Sequence, residues 1–298
     1  MTTCADLLGP ELAAAMVSIQ DAPFAVLTIR GPDAADFLQR LCTQDVAALA
    51  VGAALPAAFL TAKGKLESLV WVGRDAEGFV VEAQAHERDK VVALLERYHF
   101  AEKLAIAVPA DSTCAMVLGP AGDAAREPGT LSRDGEGVSF AASGRGLRWT
   151  RWHGPKKSAP ATACPSAGID AWQVRRVAAG LPWMGLDVDG GTLAMEAGID
   201  DHISFTKGCY TGQEIVARIQ TYGHVNRRLC RLRIDGTGVV APGSAIADDD
   251  GIPIGRVLSV VAVPGAGARL GLGFLPRELG AAGAKHRLAD GAVVHVVG

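Results

Sequence analysis

The sequence predicts an α+β protein whose C-terminal part forms a small β-barrel or β-sandwich. Strand-like and amphipathic helical runs alternate through the N-terminal half without the uniform rhythm of a doubly wound βαβ protein. From residue 227 onward, short strand-like runs are separated by glycine and proline turns, which is typical of barrels and sandwiches. Glycine makes up 36 of the 298 residues, against a usual level of about 7%. Many turns are therefore expected, and an all-helical chain is not.

Composition and charge narrow the functional classes. Hydrophobic residues are 49% and charged residues 20% of the chain, which allows a buried core and argues against disorder. The formal net charge of −3 is too close to neutral for a general nucleic-acid binder. No apolar run reaches the roughly 18 residues of a membrane span, and the start lacks the basic region of a signal peptide. We therefore expect a cytoplasmic protein of about two domains (one or three also fit the length) without nucleic-acid or membrane partners.

The first hundred or so residues indicate strands interrupted by two helices. Asp33 follows a Gly-Pro turn and is expected to cap a helix that buries Phe37, Leu38 and Leu41. A tight turn at residues 62–65 indicates a hairpin. The predicted strands cover residues 24–30, 57–61, 66–72, 79–83 and 104–108, and a second helix covers residues 87–98.

The rest of the chain is less regular. Residues 109–168 are rich in Gly, Ala, Ser and Pro and predict loops, with short strands at 115–118 and 147–152. A helix is predicted over residues 171–179, where Gly180 and Pro182 end it. The C-terminal strands are predicted over residues 228–234, 252–263, 270–274 and 293–297, with a hairpin turn at 248–251.

The six cysteines show no metal-binding or disulfide pattern. They lie at positions 4, 42, 114, 164, 209 and 230, and no two have CxxC spacing. A zinc site or a locally built iron–sulfur cluster is therefore not expected, and neither is a disulfide framework in a chain of this size. We expect reduced thiols, most of them buried as small hydrophobic side chains.

The segment KGCYTGQE, residues 207–214, is the most informative stretch. Thr211, followed three residues later by Glu214, fits a capping box and predicts a helix that starts at about Gly212. Cys209 then lies just before a helix N-terminus, whose partial positive charge favours a thiolate, and Lys207 can add to that effect. The same pattern fits an inert cysteine beside an ordinary helix cap, so local physics leaves both interpretations open.

Two aromatic residues, Phe24 and Trp172, lie among small or aliphatic neighbours. On the sequence alone they fit either ordinary core aromatics or the two sides of a sandwich around a flat heterocycle.

The octet KGCYTGQE resembles the motif of the YgfZ-type folate-binding proteins, which belong to the superfamily of the glycine-cleavage T-protein, an aminomethyltransferase. Further matches in a consistent order are GPD at 31–33, TQDV at 43–46, AKGK at 62–65, IDDHISF at 199–205 and VAR at 216–218. The resemblance implies three domains around a central opening: α+β domains at 1–108 and 109–225, and a β-barrel at 226–298.

The same resemblance implies a ligand, partners and site residues. The ligand is tetrahydrofolate or a one-carbon-substituted form. The partners are iron–sulfur client enzymes, such as radical-SAM methylthiolating enzymes, whose clusters the protein helps to assemble or repair. Cys209 is implied as the essential thiol, with Lys207 beside it, and no metal site is expected. The residues implied in folate binding are Phe24, Trp172, Tyr210, Gln213, Glu214 and Arg218.

Three departures from related proteins bear on activity. The T-protein pattern has an acid before the Ala-Gly that ends the helix, where this chain has Ala178. The Asp pair of the T-protein hairpin is replaced by Ser68 and Leu69, and strand alternation points the adjacent Glu67 to the opposite face from Ser68. Phe24 replaces a tryptophan and loses the indole N–H donor. The alternatives are therefore a folate-dependent aminomethyl or one-carbon transferase, which these departures disfavour, and an interaction module that has lost folate binding.

Overall fold

Three groups of strands organise the computed structural model, which describes residues 2–120, 126–236, 238–265 and 267–298. They form two five-stranded sheets and one closed six-stranded barrel. The pairs of neighbouring strands are antiparallel. The α+β prediction is confirmed, and of the two C-terminal alternatives the barrel is the one that forms.

The elements follow one another along the described chain with short connections. The α-helices are α1 (Cys4–Leu8), α2 (Pro10–Ala14), α3 (Ala34–Leu41), α4 (Arg88–Tyr98), α5 (Asp170–Ala179) and α6 (Gln213–Tyr222). The strands are β1 (Val17–Ile19), β2 (Phe24–Arg30), β3 (Ala54–Leu60), β4 (Leu66–Asp75), β5 (Gly78–Gln84), β6 (Ala105–Ala107), β7 (Ser112–Pro120), β8 (Thr130–Asp134), β9 (Gly137–Gly144), β10 (Leu147–Pro155), β11 (Arg227–Asp235), β12 (Ala245–Ala247), β13 (Pro253–Ala262), β14 (Arg269–Pro276), β15 (Lys285–Leu288) and β16 (Val293–Val297). Short 3₁₀ helices cover Ala85–Glu87, Lys156–Ser158 and Asp200–His202.

The first sheet has the order β3-β4-β5-β2-β6, and α3 and α4 pack against it. The predicted hairpin, both helices and the buried face of Phe37, Leu38 and Leu41 are confirmed. One detail is wrong: Asp33 precedes α3 but makes no side-chain cap hydrogen bond. Its carboxylate instead accepts a hydrogen bond from the backbone N–H of Lys103 at 2.6 Å, which ties the start of the helix to the segment before β6.

The second sheet has the order β1-β7-β10-β9-β8. Its strands β8 and β9 lie where the sequence predicted loops, because their alanines, serines and glycines carry little strand signal. The predicted helix over residues 171–179 is confirmed as α5, which ends at Gly180 in the left-handed region at φ 71°. The first helix, α1, contributes Cys4 and Leu8 to the same hydrophobic cluster as α5.

The barrel closes in the order β11-β14-β13-β12-β15-β16. Alternate residues such as Leu232, Ile234 and Val294 point into its core and are fully buried. The division of the chain at residues 108 and 225 stays a prediction. Among the described residues, no helix has both the length and the apolar character required to cross a membrane.

The segment between α5 and α6 contains no strand of the two sheets or the barrel. It packs against the first sheet and the barrel. The backbone N–H of Leu66 donates to Thr192 O, and that of Ser204 donates to Thr43 O, each at 2.9 Å. The backbone N–H of Leu229 in the barrel donates to Glu196 O at 2.9 Å. This segment therefore connects the first sheet to the barrel and brings residues 201–202 to the cleft described next.

Candidate functional site

A cleft lies between the two five-stranded sheets. The first sheet contributes residues of β2, β4 and β5, and the second contributes residues of β9 and β10. Trp172 of α5, the residues that follow α5 and the 3₁₀ helix Asp200–His202 complete its walls. The cleft thus depends on side chains that are far apart in the sequence and meet only in the folded chain.

Aromatic side chains form much of the cleft wall, including four of the five tryptophans of the chain. Phe24 and Trp172 have ring centroids 5.9 Å apart and planes at 79°, and Phe24 and Trp183 are 5.5 Å apart at 69°. The structure therefore brings Phe24 and Trp172 together, as adjoining walls that touch edge to face rather than as parallel plates. Trp71 and Trp149 make a further edge-to-face pair at 6.1 Å.

Several buried polar atoms on these walls have no partner. Gln84 Oε1, Trp149 Nε1, Trp172 Nε1 and Arg151 Nε make no hydrogen bond within the described residues, and all four residues line the cleft. Buried polar groups are nearly always hydrogen-bonded, because an unmade bond costs about 1–3 kcal/mol. Besides the ion-paired atoms Glu82 Oε2 and Arg151 Nη2, which also make no hydrogen bond, these are one acceptor and three donors. They are complementary to a flat ligand that carries both donors and acceptors.

A buried charge network joins the two sheets beside the aromatic side chains of the cleft. Glu82 of β5 is 1% exposed; its Oε1 lies 2.5 Å from His153 Nε2 and its Oε2 lies 2.6 Å from Arg151 Nη2. The Arg151 guanidinium lies 4.1 Å from the centre of the Phe24 ring. Burial lowers the pKa of Arg151, and the negative charge of Glu82 opposes that shift. Glu82 and Arg151 line the cleft, whereas His153 lies behind them.

The KGCYTGQE segment lies outside the lining of this cleft. Lys207 is buried, and its Nζ donates hydrogen bonds to the backbone oxygens of Gln39, Cys42 and Gln44 at 2.7–2.8 Å. An ammonium group has three N–H donors, so the end of α3 and the residues that follow it occupy all of them. Burial lowers the pKa of Lys207, while nearby Cys42 and Asp45 oppose the shift. The prediction that Lys207 poises the Cys209 thiol therefore has no contact to support it, and its contacts are structural.

Cys209 is the exposed cysteine of the chain; Cys164 is half-buried and the other four are buried. Tyr210 beside it is buried against the segment between α5 and α6, and burial raises the pKa of its phenol to about 12. Lys207 Nζ lies 5.2 Å from the centre of the Tyr210 ring. Two buried neighbours thus hold a loop from which the Cys209 side chain reaches solvent.

The predicted capping box at the start of α6 is wrong. The N-cap residue is Gly212, in the left-handed region at φ 86°, and no side chain caps this helix. The backbone N–H of Thr211 donates to Arg40 O of α3 at 3.2 Å. The residue before the helix is therefore held by a backbone contact with α3. Glu214 is exposed.

The remaining predicted folate-binding residues, in the motif and just after it, also lie away from the cleft lining. Gln213 is half-buried and Arg218 is exposed, both on α6. Of the residues predicted to bind folate, Phe24 and Trp172 are therefore the two that line the cleft. Within the described residues, no group of three or more His, Cys, Asp or Glu side chains is arranged to hold a metal ion.

Comparison of the sequence with those of known proteins shows the family of this chain. Residues 13–129 match the family described as the GCVT N-terminal domain. The tRNA-modifying protein YgfZ of Cronobacter sakazakii is 30% identical over an alignment of 257 residues that covers 79% of this chain and 76% of that protein. This chain belongs to the YgfZ family.

Two further matches show which other proteins this YgfZ-family chain is similar to, one in sequence and one in structure. A putative chloroplastic transferase of Arabidopsis thaliana is 27% identical over an alignment of 286 residues that covers 87% of this chain and 65% of that protein. The chain therefore spans less than two thirds of the plant relative. The crystal structure of the glycine cleavage system aminomethyltransferase T from Bartonella henselae superposes with a TM-score of 0.84 at 17% identity, over 97% of this chain and 87% of that one. The YgfZ-family chain therefore has the T-protein fold.

In this YgfZ-family chain, two of the positions where the T-protein pattern expects acids are apolar. Leu69 lines the cleft, whereas Ser68 is buried and absent from the lining. Ala178 is fully buried on α5 and also absent from the lining. The carboxylates that do line the cleft are Glu82 and Asp201.

Sequence reasoning missed the polar residues of the YgfZ-family cleft. Glu82 is the one charge in the apolar run 79–83, and that isolation was the available signal. Arg151 and His153 are two residues apart on β10, so their side chains point to the same face of the strand. Their partner could not be found from the sequence, because it lies on the other sheet.

Proposed function

We propose that this YgfZ-family chain binds a reduced folate in the cleft between its two sheets, as tetrahydrofolate or a one-carbon-substituted form. The observation that carries the proposal is the set of unpartnered buried atoms, Gln84 Oε1, Trp149 Nε1 and Trp172 Nε1, on aromatic walls. The pterin ring of a folate is flat and presents N–H donors and N and O acceptors along its edges. Such a ligand would satisfy both kinds of orphan atom while its faces pack on apolar rings.

A titration of tetrahydrofolate into the purified protein, followed by calorimetry, tests this proposal. We expect micromolar binding by the wild type. Trp172→Phe keeps the ring but removes the N–H donor, and we expect it to weaken binding by about five- to tenfold, the value of one hydrogen bond.

The matched control is Trp152→Phe. Trp152 is equally buried, but its Nε1 donates to Asp134 O at 3.0 Å and it does not line the cleft. This variant should bind as the wild type does. A folded wild-type protein without affinity for tetrahydrofolate would refute the folate proposal and favour an interaction module that has lost folate binding.

We also propose that the protein supports iron–sulfur clusters in client enzymes through Cys209 rather than acting as an aminomethyltransferase. The exposure of Cys209, in a loop held by buried Lys207 and Tyr210, makes its thiol available to a partner. The apolar Leu69 in the cleft leaves no acid at the position where aminomethyl transfer is assisted in the T-protein pattern. Its bacterial relatives are named tRNA-modifying proteins, which favours methylthiolating iron–sulfur enzymes of tRNA as clients.

A complementation experiment tests the thiol proposal. In a strain that lacks the endogenous protein, wild type should restore methylthiolated nucleosides in tRNA, and Cys209→Ser should not. Cys164→Ser, which removes a half-buried thiol, is the control and should behave as wild type. Restoration by Cys209→Ser at equal protein level would show that the thiol is dispensable.

A further inference from the structure

We propose that Glu82 is the acceptor that recognises the donor edge of the ligand in the cleft: two adjacent N–H groups of an amidine type, as on an amino-substituted pyrimidine ring. The proposal rests on the proposed function, because it names the residue that selects the heterocycle. In the T-protein pattern an acid lies near the end of the helix that corresponds to α5, where this chain has Ala178. The proposal places the acid that recognises the ligand on β5 of the first sheet instead.

The placement of Glu82 is the first argument. Glu82 and Gln84 are two residues apart on β5, so their side chains share one face of the sheet. Both line the cleft, and Gln84 Oε1 has no partner among the described residues. The two residues therefore present neighbouring acceptors to the same space.

The second argument is the unused capacity of the Glu82 carboxylate. A carboxylate offers about four lone-pair sites. His153 Nε2 occupies one site of Oε1 at 2.5 Å. Arg151 Nη2 lies 2.6 Å from Oε2 as an ion pair but makes no well-aligned hydrogen bond, and Oε2 has no other hydrogen-bond donor in the described chain. Arg151 and His153 thus keep the group in place while lone pairs remain for a ligand.

The third argument compares the two carboxylates of the cleft. Asp201 lies in the 3₁₀ helix, its side chain is 49% exposed, and it is paired with His202 Nδ1 at 2.9 Å. The Glu82 side chain is 1% exposed. A charge-assisted, bidentate pair of hydrogen bonds is stronger where water is excluded, so the buried carboxylate is the one that can discriminate between ligand edges.

The experiment compares two ligands on three proteins by calorimetry. The ligands are tetrahydrofolate and its analogue in which a methyl group replaces the 2-amino group. The proteins are wild type, Glu82→Gln and Asp201→Asn, each checked for folding by its thermal unfolding midpoint. We expect Glu82→Gln to lose about tenfold or more in affinity for tetrahydrofolate, because a charge-assisted pair becomes a neutral one.

The discriminating readout is the effect of the 2-amino group. Wild type and Asp201→Asn should prefer tetrahydrofolate over the analogue, and Glu82→Gln should bind the two ligands about equally. A merely structural role of Glu82 would lower the unfolding midpoint but leave that preference intact, which would overturn this inference alone. No binding of tetrahydrofolate by wild type would overturn the folate proposal together with it. If Glu82→Gln does not fold, Glu82→Asp gives the same test, because it keeps the charge but withdraws the carboxylate by one methylene group.

Discussion

Lys207 illustrates how a single residue of the motif acquires a role that its sequence neighbours do not suggest. Its position two residues before Cys209 predicted an electrostatic effect on the thiol. In the fold, its ammonium group lies at the C-terminal end of α3, where it donates to three backbone oxygens. Helix C-termini carry unpaired carbonyls and a partial negative charge, and a buried lysine satisfies both.

We therefore predict that Lys207→Met lowers the free energy of unfolding by about 2–4 kcal/mol, since three carbonyls lose a charged donor. Urea unfolding followed by tryptophan fluorescence measures the change. Lys63→Met, an exposed lysine in the turn between β3 and β4, is the control and should change stability by less than about 0.5 kcal/mol. Unchanged stability of Lys207→Met with slower alkylation of Cys209 would instead support a role on the thiol.

The site residues were partly predictable, and the reason is physical. Phe24 and Trp172 could be identified because aromatic residues stand out from small neighbours and occupy the positions of two tryptophans in the family pattern. Glu82 and Arg151 could not be paired from the sequence, because their 2.6 Å contact joins strands of different sheets. The orphan atoms of Gln84 and Trp149 are a property of packing, which no local pattern encodes.

At the scale of elements, the start of α6 is set by its contact with the turn between β3 and β4. A Cβ atom on Gly212 would lie 2.5 Å from Thr61 O, and one on Gly64 would lie 2.9 Å from the Ile215 side chain. Both glycines have positive φ, 86° and 69°. The two glycines let the hairpin turn and the helix approach closely, so the turn and the motif are one packed unit.

We predict that Gly212→Ala destabilises the protein by about 2–4 kcal/mol, because alanine in the left-handed region costs 1–2 kcal/mol and the clash with the Thr61 backbone adds to it. Gly223→Ala at the other end of α6 is the matched control. Its φ is −134° and the nearest atoms to an added Cβ lie 3.6 Å away, so it should be nearly neutral. Equal unfolding midpoints for the two variants would contradict the close approach.

The elements divide into those with a local signal and those without. The sequence predicted α3 because its apolar residues recur with helical spacing after Asp33, and α5 because Gly180 and Pro182 end it. It missed β8 and β9, because Ala, Ser and Gly become strand residues only when a neighbouring strand pairs with them. It predicted a capping box for α6 that does not form, because Gly212 is the N-cap residue at the point where the helix packs closely against the turn between β3 and β4.

At the scale of the whole molecule, α5 connects the cleft to the barrel. Arg176 of α5 is 1% exposed; its Nη1 lies 2.6 Å from Asp187 Oδ2 and its Nη2 donates to Ser259 Oγ of the barrel at 2.9 Å. Asp187 Oδ2 also accepts the backbone N–H of Trp183 at 2.9 Å, and Trp183 lines the cleft. The buried Arg176–Asp187 pair thus links three parts of the molecule: a strand of the barrel, the helix that carries Trp172, and the wall of the cleft that contains Trp183.

This arrangement predicts strong coupling between Arg176 and Asp187 in a double-mutant cycle. Arg176→Met and Asp187→Asn should each lower the free energy of unfolding by about 3–5 kcal/mol, because each leaves an opposite charge buried without its partner. The double variant removes both charges, so it should be more stable than the sum of the single effects predicts by about 1–3 kcal/mol.

The exposed pair Arg88 and Asp89, at 2.8 Å with side chains 42% and 83% exposed, provides the control cycle. Arg88→Met and Asp89→Asn should each cost less than about 1 kcal/mol, since surface ion pairs contribute little. Urea unfolding of all six variants measures both cycles. Additive effects for Arg176 and Asp187 would mean that the two charges contribute to stability independently of each other. Strong coupling, accompanied by weaker tetrahydrofolate binding in Asp187→Asn, would mean that the position of Trp183 in the cleft depends on contacts that reach the barrel.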